Sequence, residues 1–141
     1  KPMTWDNISE LIDLGHTIGA HTENHFSLTT LADANQLNDE IILSGEKIEK
    51  RLGISIDHFA FPFGSIGSIN AQAMRVAKEK YKYIHSGVRG QNKSNTNPLA
   101  IRREAINILD EFNYNQFLVS GGLSFYYWRD RILLDKMVSS L

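Results

Sequence analysis

Hydrophobic and polar residues alternate along this chain at two different spacings, which predict helices separated by short strands. Apolar residues recur every three to four positions in three segments, at residues 5–14, 31–52 and 71–80. Short apolar runs that predict buried strands occupy residues 17–20, 58–61, 83–86 and 100–102. Two more helical segments are expected at 114–120 and 125–139. Helices alternating with buried strands predict an α/β fold with parallel strands.

Residues that cap helices support these boundaries. Thr4 precedes the first helix, and Gly53 follows the last apolar residue of the second. Ser68 or Asn70 is expected to cap the third helix. The segment 87–98 is rich in Gly, Asn and Ser and is expected to be a loop.

Composition narrows the class of protein only a little. A chain of 141 residues predicts a single domain over 1–141. The net charge of −1 argues against nucleic acid as a partner, and no apolar run approaches the roughly 18–20 residues of a membrane span. The absence of cysteine excludes disulfides, thiolate metal sites and a cysteine nucleophile, but leaves the compartment open. Because the chain starts at Lys1-Pro2 without Met or a signal peptide, we expect a fragment or a processed product.

Three short segments follow predicted parallel strands and are therefore expected to meet at one edge of the sheet. They contain the pair His21 and His25, the turn 62–64, and Ser86-Gly87. A helical H-x-x-x-H of a zinc protease carries Glu after the first His, whereas Thr22 stands here. A turn that leaves a strand can still bring two imidazoles to one ion, each about 2.0–2.1 Å away. The alternative is two surface histidines without a shared role.

Two motifs in the first half of the chain carry a family resemblance. Residues 15–28 have the sequence GHTIGAHTENHFSL, and residues 58–65 have HFAFPFGS. The first resembles the second signature of the polysaccharide deacetylases (family-four carbohydrate esterases), Gly-His-x-Ile-Gly-x-His-Ser/Thr-x-x-His. The second resembles the third signature of that family, an aromatic-Pro-aromatic-Gly strand end. The resemblance covers roughly residues 4–110.

This resemblance implies a fold, a cofactor and a substrate. The fold is a distorted (β/α) barrel, here incomplete at the N-terminus. The reaction removes an N- or O-acetyl group from a polysaccharide or oligosaccharide with a divalent metal, usually zinc. His21 and His25 occupy metal-ligand positions. The residues expected to shape the substrate groove are Phe61, Pro62, Phe63 and Gly64.

Three departures from the family pattern bear on activity. The paired aspartates that supply the general base and the third metal ligand are absent and are expected upstream of Lys1. Ala60 replaces the Arg that often opens the third signature, as in one subgroup of the family. The closing signature with its acid histidine has no match, since no His follows His85.

Substitutes for the missing catalytic groups are His85 and either Arg102 or Arg103. The alternatives are a structural His85 bonded to backbone and an ordinary surface pair of Arg103 with Glu104. His16 and His58 are interpreted as structural. The aromatic run 125–128 could stack a sugar ring, although core or interface positions are more common for such a run.

The sequence thus favours a deacetylase domain that is inactive by itself. The alternatives are a non-catalytic carbohydrate-binding domain and an interaction domain of the same fold. A barrel without its first strands would have an open edge through which the chain could self-associate.

Overall fold

The computed structural model describes residues 2–141. Within these residues, helices precede, separate and follow two short strands along the sequence. The α-helices are α1 (Trp5–Asp13), α2 (Ala34–Asn38), α3 (Ser44–Leu52), α4 (Ala71–Lys80), α5 (Phe112–Val119) and α6 (Trp128–Ser139). A π-helical turn (Asp39–Leu43) joins α2 to α3, and short 3₁₀ turns cover Leu28–Thr30, Ile66–Ser68 and Pro98–Ala100. The strands are β1 (His58–Ala60) and β2 (Tyr83–His85).

The two strands pair in parallel, as the sequence predicts. His58 lies opposite Tyr83, and Ala60 opposite His85. Single parallel bridges extend this sheet on both sides, from Ala20 to Phe59 and from His85 to Ile101. Four parallel segments therefore lie side by side in chain order, which confirms the α/β prediction.

The predicted first and fourth strands are each reduced to a single bridging residue. In the fourth, Ala100 belongs to the 3₁₀ turn Pro98–Ala100 instead of the strand, and Ile101 forms the bridge. In the first, the backbone is bonded only through Ala20, which donates to His58 O and accepts from Ala60 N. Within residues 2–141 these segments do not close a barrel, so the barrel remains a prediction.

The sheet separates an apolar core from a more polar face. Side chains alternate between the faces of a strand, so Phe59 and Ile84 are fully buried against the helices. Phe59 stacks on Tyr81, with ring centroids 5.1 Å apart. The other core side chains come mainly from the helices, among them Leu37, Ile41, Met74, Ala77 and Leu134. The opposite face carries His58, Ala60 and His85.

The predicted helix caps are confirmed, whereas α5 begins at Phe112 instead of residue 114 and α6 at Trp128 instead of residue 125. Thr4 accepts a hydrogen bond from Asn7 N in a reciprocal capping box, Asn70 caps α4, and Gly53 ends α3 with φ +69°. The second helical segment begins after Asp33, three residues later than predicted, because the Asp33 side chain accepts from Asn35 N.

Tyr81 anchors the π turn of that segment. Its hydroxyl donates to Ile41 O at 2.6 Å, and the Ser44 hydroxyl donates to the same carbonyl at 3.0 Å. Gly45 makes this approach possible, since a Cβ there would collide with the tyrosine hydroxyl. Burial raises the pKa of Tyr81 to about 12. The π turn between α2 and α3 is therefore held against the C-terminal end of α4.

The aromatic run near the C-terminus is not part of the core. Phe125 and Tyr126 are 86% and 79% exposed, because they lie in a turn that precedes α6 while Leu134 and Val138 bury the apolar side of that helix. The core interpretation of this run was wrong, whereas a role in an interface or in stacking a sugar ring stays a prediction. None of the helices formed by residues 2–141 has both the length and the apolar character needed to cross a membrane.

Candidate metal and substrate site

His21 and His25 lie together on the loop that follows the Ala20 bridge. Their ring centroids are 4.9 Å apart and the rings meet edge to face. Nδ1 of His21 lies 2.7 Å from Ala60 O. Because a carbonyl oxygen only accepts, this nitrogen is the donor, and in the neutral ring Nε2 then carries the lone pair. Both histidines are exposed. The structure therefore brings the two predicted ligands into one place.

The backbone between the two histidines turns back sharply. Thr22 and His25 have φ of +64° and +57°, in the left-handed region that is uncommon for residues other than glycine and rarest for a β-branched residue such as Thr22. The Thr22 hydroxyl accepts from His25 N at 3.1 Å, as expected for a residue that holds this turn. The buried carboxylate of Glu40 accepts three further hydrogen bonds from Glu23 and Asn24.

Sequence reasoning did not identify Glu40. The only signal was a charged residue at the edge of the apolar stripe that contains Leu37 and Ile41. A buried carboxylate needs several donors, and those donors come from a loop 16 to 17 residues earlier in the chain.

The second predicted segment, residues 61–64, adjoins the histidines through one side chain. Phe63 has φ +60°, is 66% exposed, and packs edge-on against His25 with centroids 5.0 Å apart. Phe61 and Pro62 are fully buried, since they point into the core beneath the turn. Their buried side chains do not line the surface, so a contribution of these two residues to the groove through the backbone of the turn stays a prediction.

Gly64 and Gly87 join the second segment to the third. Gly87 N donates to Gly64 O at 2.6 Å. Arg103 adds a second connection, because its Nε donates to Ser86 O at 2.5 Å and its Nη2 to Phe61 O at 3.4 Å. The gathering of three loops at the carboxyl edge of the sheet, predicted from the sequence, is therefore what the structure has.

Arg103 does not form the surface pair that the sequence left open. It is half-buried, and burial lowers its pKa. Glu104 instead lies 3.5 Å from Arg89, and Nη2 of Arg102 donates to both carboxylate oxygens of Asp135 on α6. Of the two arginines, only Arg103 borders the loops near the histidines.

His85 and His58 form a pair on the polar face of the sheet. Nδ1 of His58 lies 2.9 Å from Nε2 of His85, and the His58 ring stacks on Tyr83 at 4.5 Å. With His21 and Arg103, they border a cavity of about 470 Å³. Burial, His58 and Arg103 lower the pKa of His85. His85 therefore faces the cavity but bonds to an imidazole, not to the backbone as the structural interpretation assumed.

No group of three or more His, Cys, Asp or Glu side chains close enough to hold a metal ion occurs among residues 2–141. Among the described residues, the neighbouring pair His21 and His25 can supply two protein ligands to a metal ion, but a third is not beside them. His16, also in the first motif, is exposed on the connection after α1.

Comparisons with known proteins agree with the motifs. A sequence model of the family described as polysaccharide deacetylase matches residues 2–83, which is more than half of the chain. No curated protein sequence matches significantly.

Two solved structures share the fold. One is a polysaccharide deacetylase from Bacillus cereus, with a TM-score of 0.58 and 24% identity over 70% of this chain and 30% of that protein. The other, from Bacillus anthracis and assigned as a polysaccharide deacetylase, has a TM-score of 0.68 and 21% identity over 81% of this chain and 35% of that protein. The chain thus spans about a third of the length of these two proteins.

Proposed function

The chain belongs to the polysaccharide deacetylase family, and on that premise we propose that it forms part of a metal-dependent hydrolase that removes acetyl groups from polysaccharides or oligosaccharides. His21 and His25 are proposed to hold the metal, with zinc as the expected ion. The substrate is proposed to be an N-acetylated or O-acetylated sugar polymer.

The orientation of His21 is the observation that carries this proposal. A histidine that binds a metal usually donates its other ring N–H to a carbonyl or carboxylate, which fixes the tautomer and the ring. His21 makes such a bond to Ala60 O. The exposed ring of His25, at a centroid distance of 4.9 Å, adds a second nitrogen donor. Two neighbouring imidazoles suit zinc, which is commonly bound through histidine nitrogen.

A zinc ion at such a site would supply Lewis-acid polarisation of the acetyl carbonyl and lower the pKa of a bound water toward about 7. The residues of this chain would orient the substrate beside it. Phe63 offers an exposed aromatic surface next to His25, of the kind on which a sugar ring can pack. Buried Phe61, Pro62 and Gly64 would act by fixing the turn that presents Phe63.

We propose that the general base of the reaction is not supplied by the residues near the histidines. The paired aspartates expected from the family are absent from the sequence, so a base and a third metal ligand would have to come from outside these 141 residues. His85 remains a candidate for the acid and Arg103 for a residue that orients the base, since both border the cavity that His21 also lines. We therefore propose that this chain alone does not turn over substrate.

Zinc binding and acetate release test the proposal separately. Isothermal titration of the 141-residue chain with Zn²⁺ should give one site that is lost in His21→Ala and in His25→Ala. His16→Ala is the matched control, because it removes an exposed histidine of the same motif without touching the pair. Acetate release from N-acetylglucosamine oligomers is then measured for the chain and for any longer polypeptide that contains it. Zinc binding unaffected by His21→Ala would refute the site.

The second candidate is a non-catalytic carbohydrate-binding domain of the same fold. It is favoured by the absence of a three-ligand group among the described residues. Retention of the chain on an acetylated polysaccharide, without acetate release by any polypeptide that contains it, would support this second function over the first.

A further inference from the structure

We infer that Glu40 is a positioning residue for the two histidines, and that its carboxylate sets the conformation of the loop between them. This inference rests on the proposed function in one respect, namely that His21 and His25 bind a common metal ion. The loop geometry itself can be tested without that assumption.

Glu40 contacts Glu23 and Asn24, two of the three residues between His21 and His25. One carboxylate oxygen accepts from Glu23 N at 3.1 Å and from Asn24 N at 3.0 Å. The other accepts from the Asn24 side-chain amide at 2.6 Å. Hydrogen bonds to an ionised acceptor are stronger than those between neutral groups. Three of them on consecutive residues therefore fix the middle of the loop.

Glu40 is itself held by the core. It is only 6% exposed and lies in the π turn, next to Ile41. The carbonyl of Ile41 accepts from Tyr81 and Ser44, both buried. Because the π turn that carries Glu40 is bonded to these buried side chains, its carboxylate can fix the position of a surface loop. Such π turns within helices often occur at functional sites.

The loop needs such support because its backbone is strained. Thr22 and His25 both adopt positive φ, a conformation that persists only when the surroundings impose it. The hydroxyl of Thr22 supplies one local bond. The contacts of His21 with Ala60 and of His25 with Phe63 hold only the two ends of the turn. In its middle, Lys47 contacts Glu23 at 2.7 Å in an exposed ion pair, and such pairs contribute little. Glu40 is therefore the main tertiary restraint on Glu23 and Asn24.

The test replaces the carboxylate and measures the loop and the metal independently. Glu40→Met keeps the volume and removes the acceptor, whereas Glu40→Asp keeps the charge and withdraws it from the loop. Glu40→Gln is the conservative rescue, and Lys47→Ala is the matched control because it breaks only the exposed pair to Glu23. Amide hydrogen exchange at Glu23 and Asn24 reports on the loop, and titration with Zn²⁺ reports on the histidines.

In the folded Met or Asp variant we expect loss of exchange protection at both amides and zinc binding weakened about 10- to 100-fold, with partial recovery in Glu40→Gln and no change in Lys47→Ala. If one of these variants does not fold, the other decides. Wild-type protection and zinc affinity in a folded variant would overturn the inference. If the wild-type chain binds no zinc, the proposed function fails, and the amide exchange alone then supports or overturns the positioning role.

Discussion

Replacing Gly64 by alanine tests how the turns beside the histidines are held together. Gly64 has φ +67°, and a Cβ at this position would lie 2.7 Å from Gly87 Cα and even closer to Gly87 N. The left-handed conformation costs an alanine roughly 1–2 kcal/mol. Forcing a methyl group into packed surroundings adds roughly 1–3 kcal/mol. The bond from Gly87 N to Gly64 O would be strained by the same displacement.

Gly53→Ala is the matched control for this substitution. Gly53 has nearly the same φ, +69°, but no atom lies within 4 Å of its added Cβ. The control should therefore cost only the conformational part, roughly 1–2 kcal/mol. Gly64→Ala should lower the free energy of unfolding by about 2–5 kcal/mol. At roughly 2–4 °C per kcal/mol for a chain near this size, Tm should fall by about 4–20 °C.

Urea and thermal unfolding followed by circular dichroism measure both variants. A Gly64→Ala chain that is too unstable to fold, while Gly53→Ala folds, agrees with the reasoning. Equal destabilisation of the two variants would refute it, because the contact between the two glycines would then impose no constraint.

Three further predictions concern the core, the histidine pair and the exposed aromatic. Tyr81→Phe should lower the free energy of unfolding by about 1–2 kcal/mol in urea titrations, since it removes the buried donor to Ile41 O; an unchanged midpoint would contradict this. Burial lowers the pKa of His85 in the folded chain, so the unfolded chain takes up a proton first as the pH falls below about 6.5. The free energy of unfolding should therefore decline as the pH falls through that range, and it should decline less in His85→Gln. Equal pH dependence of the two proteins would argue against the lowered pKa. Because Phe63 is exposed, Phe63→Ala should change the free energy of unfolding by no more than about 0.5 kcal/mol. The same variant should be retained less strongly on immobilised acetylated oligosaccharide, and undiminished retention would show that Phe63 is not part of the proposed groove.

Local patterns in the sequence were sufficient for much of the framework. Thr4, Gly53 and Asn70 act at helix ends as predicted, because capping depends on bonds within a few residues. The parallel arrangement of β1 and β2 also followed, since a helix between two strands carries the chain back to the same end of the sheet. The start of α2 and the short outer strands were misjudged because each depends on a single turn or bridge.

Exposure was the property that local patterns judged least well. Phe61, Phe63 and Phe125 are the same type of apolar residue, yet Phe61 is buried and the other two are largely exposed. What decides this is the direction of each side chain relative to elements far away in sequence. The same holds for His58 and His85, which meet because alternate residues of two paired strands share one face.

For this protein, the sequence by itself determined the helix caps at Thr4, Gly53 and Asn70, the α/β class, the family motifs and the histidine pair, because each depends on residues close together in the chain. Only the tertiary structure decided that His21 donates to Ala60, that Phe63 packs against His25, and that Glu40 holds the loop between the histidines. These contacts join residues 16 to 39 positions apart, and which of many such pairs form depends on how the helices and strands pack together.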